Sequence, residues 1–253
     1  MHMDDGSDAS ARNGIQVIAR AAAILRTLKE TQTGMSLAQI AGKLDLPRST
    51  VQRIVSALQV ERLVIASATG GGLRLGPELH ALAGAARYDI VDRCRPFLTD
   101  LARTTGETVD LSVLRGARII FLDQVQGTHR LRTISCVGEV FPLTTTANGR
   151  ACLSLLPEAD AARLASAEWA QLGIKGDLAA LQALMVEITK TGLAFDLDDH
   201  TPGISAVGFA FRDPVGDLHS ISVPVPSTRF AERSEAVVAA LTALRPKVIG
   251  VMG

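Results

Sequence analysis

The sequence predicts an α+β protein: an N-terminal winged helix-turn-helix domain, a linker helix, and a C-terminal α+β domain with an antiparallel sheet flanked by helices. Three observations carry this. Two helical stripes, around residues 37–44 and 51–58, are separated by a tight turn. The charge is lopsided: residues 12–76 hold nine Lys and Arg against three acids, a balance of +6, whereas residues 77–253 hold 17 against 20, a balance of −3. The second half also carries several short β-patterned runs interleaved with helical ones. At 253 residues the chain can bury two cores.

The elements follow in order. Ile18, Ala21, Leu25 and Leu28 recur at helical spacing, so residues ~14–30 should form a first helix, which Gly34 stops. Ser36 and Gln39 stand at capping-box spacing ahead of Leu37, Ile40, Ala41 and Leu44, a short second helix ending near Asp45. Pro47 suits the first turn of a third helix, whose buried stripe is Val51, Ile54, Val55 and Leu58. That leaves Arg48, Ser49, Thr50, Gln52, Arg53 and Ser56 outward. Two strands near 64–66 and 73–75, joined by a loop with three consecutive glycines, complete a wing.

A polar, basic outer face on the second helix of a tight pair is what a major-groove reader needs. Arg donates twice to guanine, Gln pairs twice with adenine, and Ser or Thr reaches bases or phosphates. Arg48, Ser49, Thr50, Gln52 and Arg53 are therefore the expected DNA-reading residues, with Arg74 of the wing contacting phosphate or groove. The expected partner is double-stranded operator DNA. A two-fold protein suits half-sites one helical turn apart, so a homodimer is expected, with a homotetramer as a further assembly.

Residues 77–106 read as a long helical stretch whose first part, 77–93, is the linker. The effector domain is then 94–253. Strands are expected at 108–114, 117–125 and 130–136, helices around 150–156, 160–172 and 178–191, and strands at 193–196, 204–213 and 218–225. A last helix should start at Ala231 and be ended or kinked by Pro246.

From Gly138 to Pro157, GEVFPLTTTANGRACLSLLP, the chain begins to resemble the IclR family of bacterial transcription factors, which pair a winged helix with a GAF-like effector domain. LPRSTVQRIVSAL is similar to that family's recognition helix, GLRLG to the end of its wing, and RTTGETVDLSVL to the entry into its effector domain. GLAFDLDDHTPGISAVGFAFRD and LHSISVPVPSTRF are similar to its last strands, so the likeness runs from about Ile15 to the C-terminus. The resemblance implies a ligand-responsive regulator, a repressor of a catabolic operon released by a small organic acid or aromatic effector. An activator, or a C-terminal domain serving assembly only, is the alternative. It also implies pocket residues Phe141, Ala147, Asn148, Asp196, Ile204, Ala206 and Ser222, with Asn148 and the amides near Gly149 able to hold a carboxylate. Arg62 stands where the family usually has Gly, Arg150 where it has Lys, and Asp199 where it has Glu.

Other chemistry is weighed on the same residues. Asp196, Ser222 and His219 suggest a hydrolase, but no G-x-S-x-G is present and Ser222 falls mid-strand, so no catalytic residues and no enzyme are expected. Asp198, Asp199 and His200, or Cys136 with His129, lack zinc spacing, and no metal or cofactor is expected. The three cysteines include no C-x-x-C pair and read as reduced, mostly buried fillers. No apolar run reaches the ~18 residues of a membrane span. The first dozen residues lack the basic start and apolar core of a secretory signal, so a cytoplasmic location is expected.

Overall fold

The computed structural model describes residues 6–31, 33–67, 72–85 and 89–252, and the chain divides into two compact units, Met1–Arg87 and Tyr88–Gly253. In the first, α1 (Gly6–Lys29), α2 (Leu37–Leu44) and α3 (Arg48–Val60) precede a hairpin of β1 (Val64–Ala66) and β2 (Leu73–Leu75), and α4 (Glu78–Ala85) follows. The capping box forms as the sequence implies: Ser36 Oγ accepts from the Gln39 amide at 3.3 Å, and Gln39 Oε1 accepts from the Ser36 amide at 2.8 Å. Asp45 ends α2 in the left-handed region with φ 50°, and Pro47 sits as the N-cap of α3, one residue ahead of its expected place in the first turn. Ile24, Leu28, Ile40, Val51, Val55 and Leu58 fuse the three helices into one core. Helix α1 reaches back to Gly6, beyond the start of the apolar stripe that marked it. The tip of the wing, with Gly70 and Gly71, lies outside the described residues, as do residues 86–88 of the expected linker.

The second unit opens with α5 (Asp89–Thr105), β3 (Val109–Arg115) and β4 (Arg118–Val125), then β5 (Val140–Phe141), α6 (Ala147–Leu153), α7 (Glu158–Leu172) and α8 (Leu178–Thr191). It closes with β6 (Ala194–Leu197), β7 (Ile204–Arg212), β8 (Leu218–Pro226) and α9 (Ser227–Met252). The six strands form one antiparallel sheet in the order β5-β4-β3-β8-β7-β6.

Strand alternation gives this sheet two unlike faces. Val109, Leu111, Val207, Phe209, Ile221 and Val223 point into a core that α5 and α9 cover with Cys94, Leu98, Val237 and Leu241. At an apolar transfer value of about 25 cal/mol per Å², this layer drives the unit's folding together with a second cluster that includes Ile119, Leu143, Leu153, Leu181 and Ile188. The alternate positions, Asp110, Ser112, Ala206, Gly208, Ser220 and Ser222, are small or polar and face the side where α6 crosses β7 and β8.

Two expectations fail. Residues 130–136 make no strand: their backbone is held by side chains, with Thr108 Oγ1 donating to Thr133 O at 2.9 Å and Arg229 to Leu131 O at 2.8 Å. The short β5 takes the edge beside β4 instead. The last helix starts at Ser227, four residues before Ala231, and runs through Pro246 rather than ending there.

Candidate functional site

On α3 the buried stripe is as the spacing requires, and Arg48, Ser49, Gln52, Arg53 and Ser56 are exposed on the opposite side. Gln52 Nε2 donates to Ser56 Oγ one turn on, at 3.3 Å. Thr50 is half-buried and lines a groove between α1 and α3 together with Arg20 and Arg53, so it sits at the rim of the outward face. Arg74 differs more: it is mid-strand opposite Ile65, half-buried, with its Nε shielded and without a partner. The helix-closing turn takes a positive φ of 56° at Arg62, and a Cβ on the nearby Gly76 would meet Arg62 O at 2.0 Å. Glycine is thus required at 76, while residue 62 carries a left-handed conformation on a branched-chain-free but bulky side chain.

In the second unit a cavity of about 340 Å³ opens on the small-residue face of the sheet. Phe141, Ala147, Asn148, Asp196, Ile204 and Ala206, expected from separate segments, all line it. Ser222 does not. It is 2% exposed on β8, registered between Asp110 and Gly208, and the cavity walls pass over Asp110 and Pro224 instead. Sequence reasoning missed Asp110, Phe121, Thr133, Ile134, Ser135, Glu139, Thr146, His200 and Thr201. A signal existed for Asp110, since an acid in the strand-patterned run VDLSVL is out of place unless a site needs it.

The local architecture is set by α6. Thr146 caps it, accepting from the Gly149 amide at 3.0 Å and donating to Pro142 O at 2.7 Å. Gly149 packs so tightly on the preceding loop that a Cβ would meet Leu143 O at 2.3 Å. Asn148 Nδ2 donates to Ser112 Oγ at 3.0 Å, which is itself 2.7 Å from Ser220 Oγ. Of the groups expected to hold a ligand carboxylate, the Gly149 amide and one N–H of the Asn148 side chain are thus engaged within the protein. Arg150 joins the remaining pieces, donating to Thr144 O at 2.8 Å and Phe195 O at 2.6 Å and pairing with Asp199 at 2.9 Å.

Burial dominates the ionisation here. It pushes the Asp110 carboxyl up to about 7, with Glu139 and Asp123 adding repulsion and the Gln124 hydrogen bond opposing. Asp196 is raised by burial, although the Asp199 and His200 amides hydrogen-bond its Oδ1 at 2.9 and 3.3 Å. His200, stacked edge-on against Phe141 with centroids 5.0 Å apart, is held below its usual range by burial.

The rival chemistries do not assemble. Ser222 and His219 are on opposite faces of β8, and His219 Nε2 lies 3.0 Å from Asp213 in the β7–β8 turn. Asp198 is spent on the Gly203 amide and the Ser227 hydroxyl, and Asp199 on Arg150. Among the described residues the group close enough to share a metal is Asp213, Asp217 and His219, where Asp217 already pairs with Arg115. Cys94 and Cys152 are buried, which pushes both thiols up to about 12, whereas Cys136 is exposed, against expectation.

A winged helix-turn-helix followed by a separate α+β unit with a small-molecule cavity defines a ligand-responsive, DNA-binding transcriptional regulator. The IclR helix-turn-helix domain matches at residues 17–65, and the bacterial transcriptional regulator IclR C-terminal domain at residues 83–248. The chain is 44% identical to the HTH-type transcriptional regulator Rv1719 of Mycobacterium tuberculosis, over 93% of this chain and 92% of that one. It is 38% identical to the HTH-type transcriptional regulator TtgV of Pseudomonas putida, over 90% and 88%. The fold is that of an IclR homolog from Microbacterium hydrocarbonoxydans solved in complex with 4-hydroxybenzoate, at TM-score 0.66 and 18% identity, covering 91% of this chain and 99% of that one. The chain belongs to the IclR family of bacterial transcriptional regulators.

Proposed function

We propose that this regulator is a cytoplasmic repressor that binds operator DNA as a homodimer, or a tetramer of two such dimers, and releases it when a small aromatic effector fills the cavity. The single observation that carries the effector half is the convergence of six residues from two separate sequence segments on one cavity, with Phe121, Phe141 and His200 forming an aromatic wall. The DNA half rests on the exposed Arg48, Ser49, Gln52 and Arg53 of α3, with Thr50 at the rim and Arg74 as a wing contact. No described helix is long and apolar enough to cross a membrane, which accords with a cytoplasmic site. The domains proposed are 12–76, 77–93 and 94–253.

The effector binds one arrangement of the dimer more tightly and so shifts the equilibrium between operator-competent and incompetent states. A factor of about 100 in operator affinity requires about 2.7 kcal/mol of coupling, within reach of a few cavity contacts. A gel-shift on the chain's own upstream DNA tests this, with and without a panel of aromatic compounds. Arg53→Ala should weaken operator binding at least tenfold and leave effector binding intact. Asn148→Leu should remove the effector response and leave operator binding intact. Unchanged operator binding in the first variant would displace the reading helix, and an unchanged response in the second would move the effector site elsewhere. A promoter fusion that loses expression when the gene is deleted would make the protein an activator.

A further inference from the structure

The cavity is acid-lined. Asp110, Glu139 and Asp196 contribute three carboxyl groups, and no Lys or Arg is among the lining residues. Among its inner donors, Asn148 Nδ2 uses one N–H on Ser112, Thr146 Oγ1 donates to Pro142 O, and Thr133 Oγ1 donates to Pro224 O at 3.4 Å. The end formed by β3, β4 and β5 combines Asp110 in the floor and Glu139 at the mouth with the Phe121 and Phe141 rings, whose centroids are 4.6 Å apart. Gln124 Nε2 donates to Asp110 Oδ1 at 2.6 Å. Carboxylates beside two aromatic faces attract a cation, through charge and through the ring quadrupoles, and repel an anion.

Resting on the reading of this cavity as the effector site, we infer that its effector is a small aromatic amine bound as the ammonium ion, with the cationic head between Asp110 and Glu139 and the body against Phe121 and Phe141. A carboxylate of the same shape is rejected. The groups facing Asp110 fit this. From β4 come Gln124 and Asp123, the latter paired with Arg95 of α5; from the loop before β5 comes Glu139; from across the cavity come Asp196 and His200; and Asn148 of α6 lines the same space. Because the empty site holds the Asp110 carboxyl near 7, an arriving ammonium ion displaces its proton, so binding tightens as pH rises from 6 to 8.

Three probes that share a phenylethyl body decide it: 2-phenylethylamine, 2-phenylethanol and 3-phenylpropionate, titrated calorimetrically into the full chain at pH 6, 7 and 8 in buffers of different ionisation heat. The amine should bind at least tenfold more tightly than the propionate, release a proton near pH 7, and gain affinity with pH while the alcohol does not. Asp110→Asn should remove the proton release and the preference for the amine, and Glu139→Gln, a substitution at the exposed mouth, should weaken the amine severalfold. Equal or tighter binding of the alcohol or the propionate overturns the charge inference and leaves the cavity as the effector site. If no probe binds, and Asn148→Leu leaves the effector response intact, the cavity itself is the wrong place and the inference falls with it.

Discussion

Arg62 closes the recognition helix at φ 56°, a conformation that L-residues other than Asn and Asp adopt at a cost of roughly 1–2 kcal/mol. Its guanidinium pairs with the half-buried Glu78 at 3.3 Å, but the Arg62 side chain is itself exposed and the pair adds little. Arg62→Gly should therefore stabilise the protein by about 0.5 kcal/mol once the extra chain entropy of glycine is subtracted, read as a higher midpoint in urea. A lower midpoint would mean the Arg side chain contributes more than its backbone costs. The positive φ was legible in the sequence, because Arg stands where the resemblance places Gly.

Asp110 sets a pH dependence of stability whose sign follows from its environment. Its folded pKa, about 7, lies above the ordinary value of 3.8, so between these limits the folded state holds a proton that the unfolded state has lost. The stabilisation is present below about pH 4 and is lost as pH rises through about 7. Asp110→Asn should flatten the fall in stability between pH 5 and 8 measured by chemical denaturation, and an unchanged slope would place the titration elsewhere. That burial was invisible in the sequence, which shows an acid in a strand but not that β8 pairs with β3 and that the loop 126–139 covers it.

At the scale of elements, α7 holds the loop that leads into α6. Buried Glu168 accepts from the Leu143 and Thr144 amides and from the Thr144 hydroxyl, and Trp169 Nε1 donates to that same hydroxyl at 3.2 Å. Glu168→Ala would strand two buried amides at about 1–3 kcal/mol each, so a loss of about 3 kcal/mol is expected, with weakened effector binding because Thr146, Ala147 and Asn148 follow directly. Loss of stability with normal effector affinity would separate the loop from the site. Periodicity located these helices well: 178–191 matches its expected limits, and both wing strands do so too. It failed at 130–136, where Leu131, Thr133 and Ile134 give the run strand-like content, but the backbone bonds go to Thr108 and Arg229. A sequence pattern records which side chains alternate, not which partner claims the backbone.

For the whole molecule, two units, each with apolar packing of its own, imply two unfolding events. Calorimetry should resolve two transitions, with operator duplex raising the one of Met1–Arg87 and a cavity ligand raising the other. At 100 times Kd each shift corresponds to about 2.7 kcal/mol. One transition moved equally by either ligand would mean the units unfold as a single cooperative body. The architecture was legible at this scale because charge and hydrophobic period change together along the chain, and the resemblance ordered the segments. The chemistry of the cavity was less so: six of the seven expected residues line it, yet its charge comes from Asp110 and Glu139, which the fold brings together with Asp196 from the far edge of the sheet.

The two unlike faces of that sheet divide selective pressures between them. Substitutions on the side covered by α5 and α9 carry the cost of cavities and lost burial. Exchanges among the alanines, serines and acids of the other side leave that apolar layer intact and alter what the cavity accepts. Descendants of this chain can thus drift toward new inducers without passing through unfolded intermediates, a route by which one scaffold comes to serve many unrelated metabolic signals.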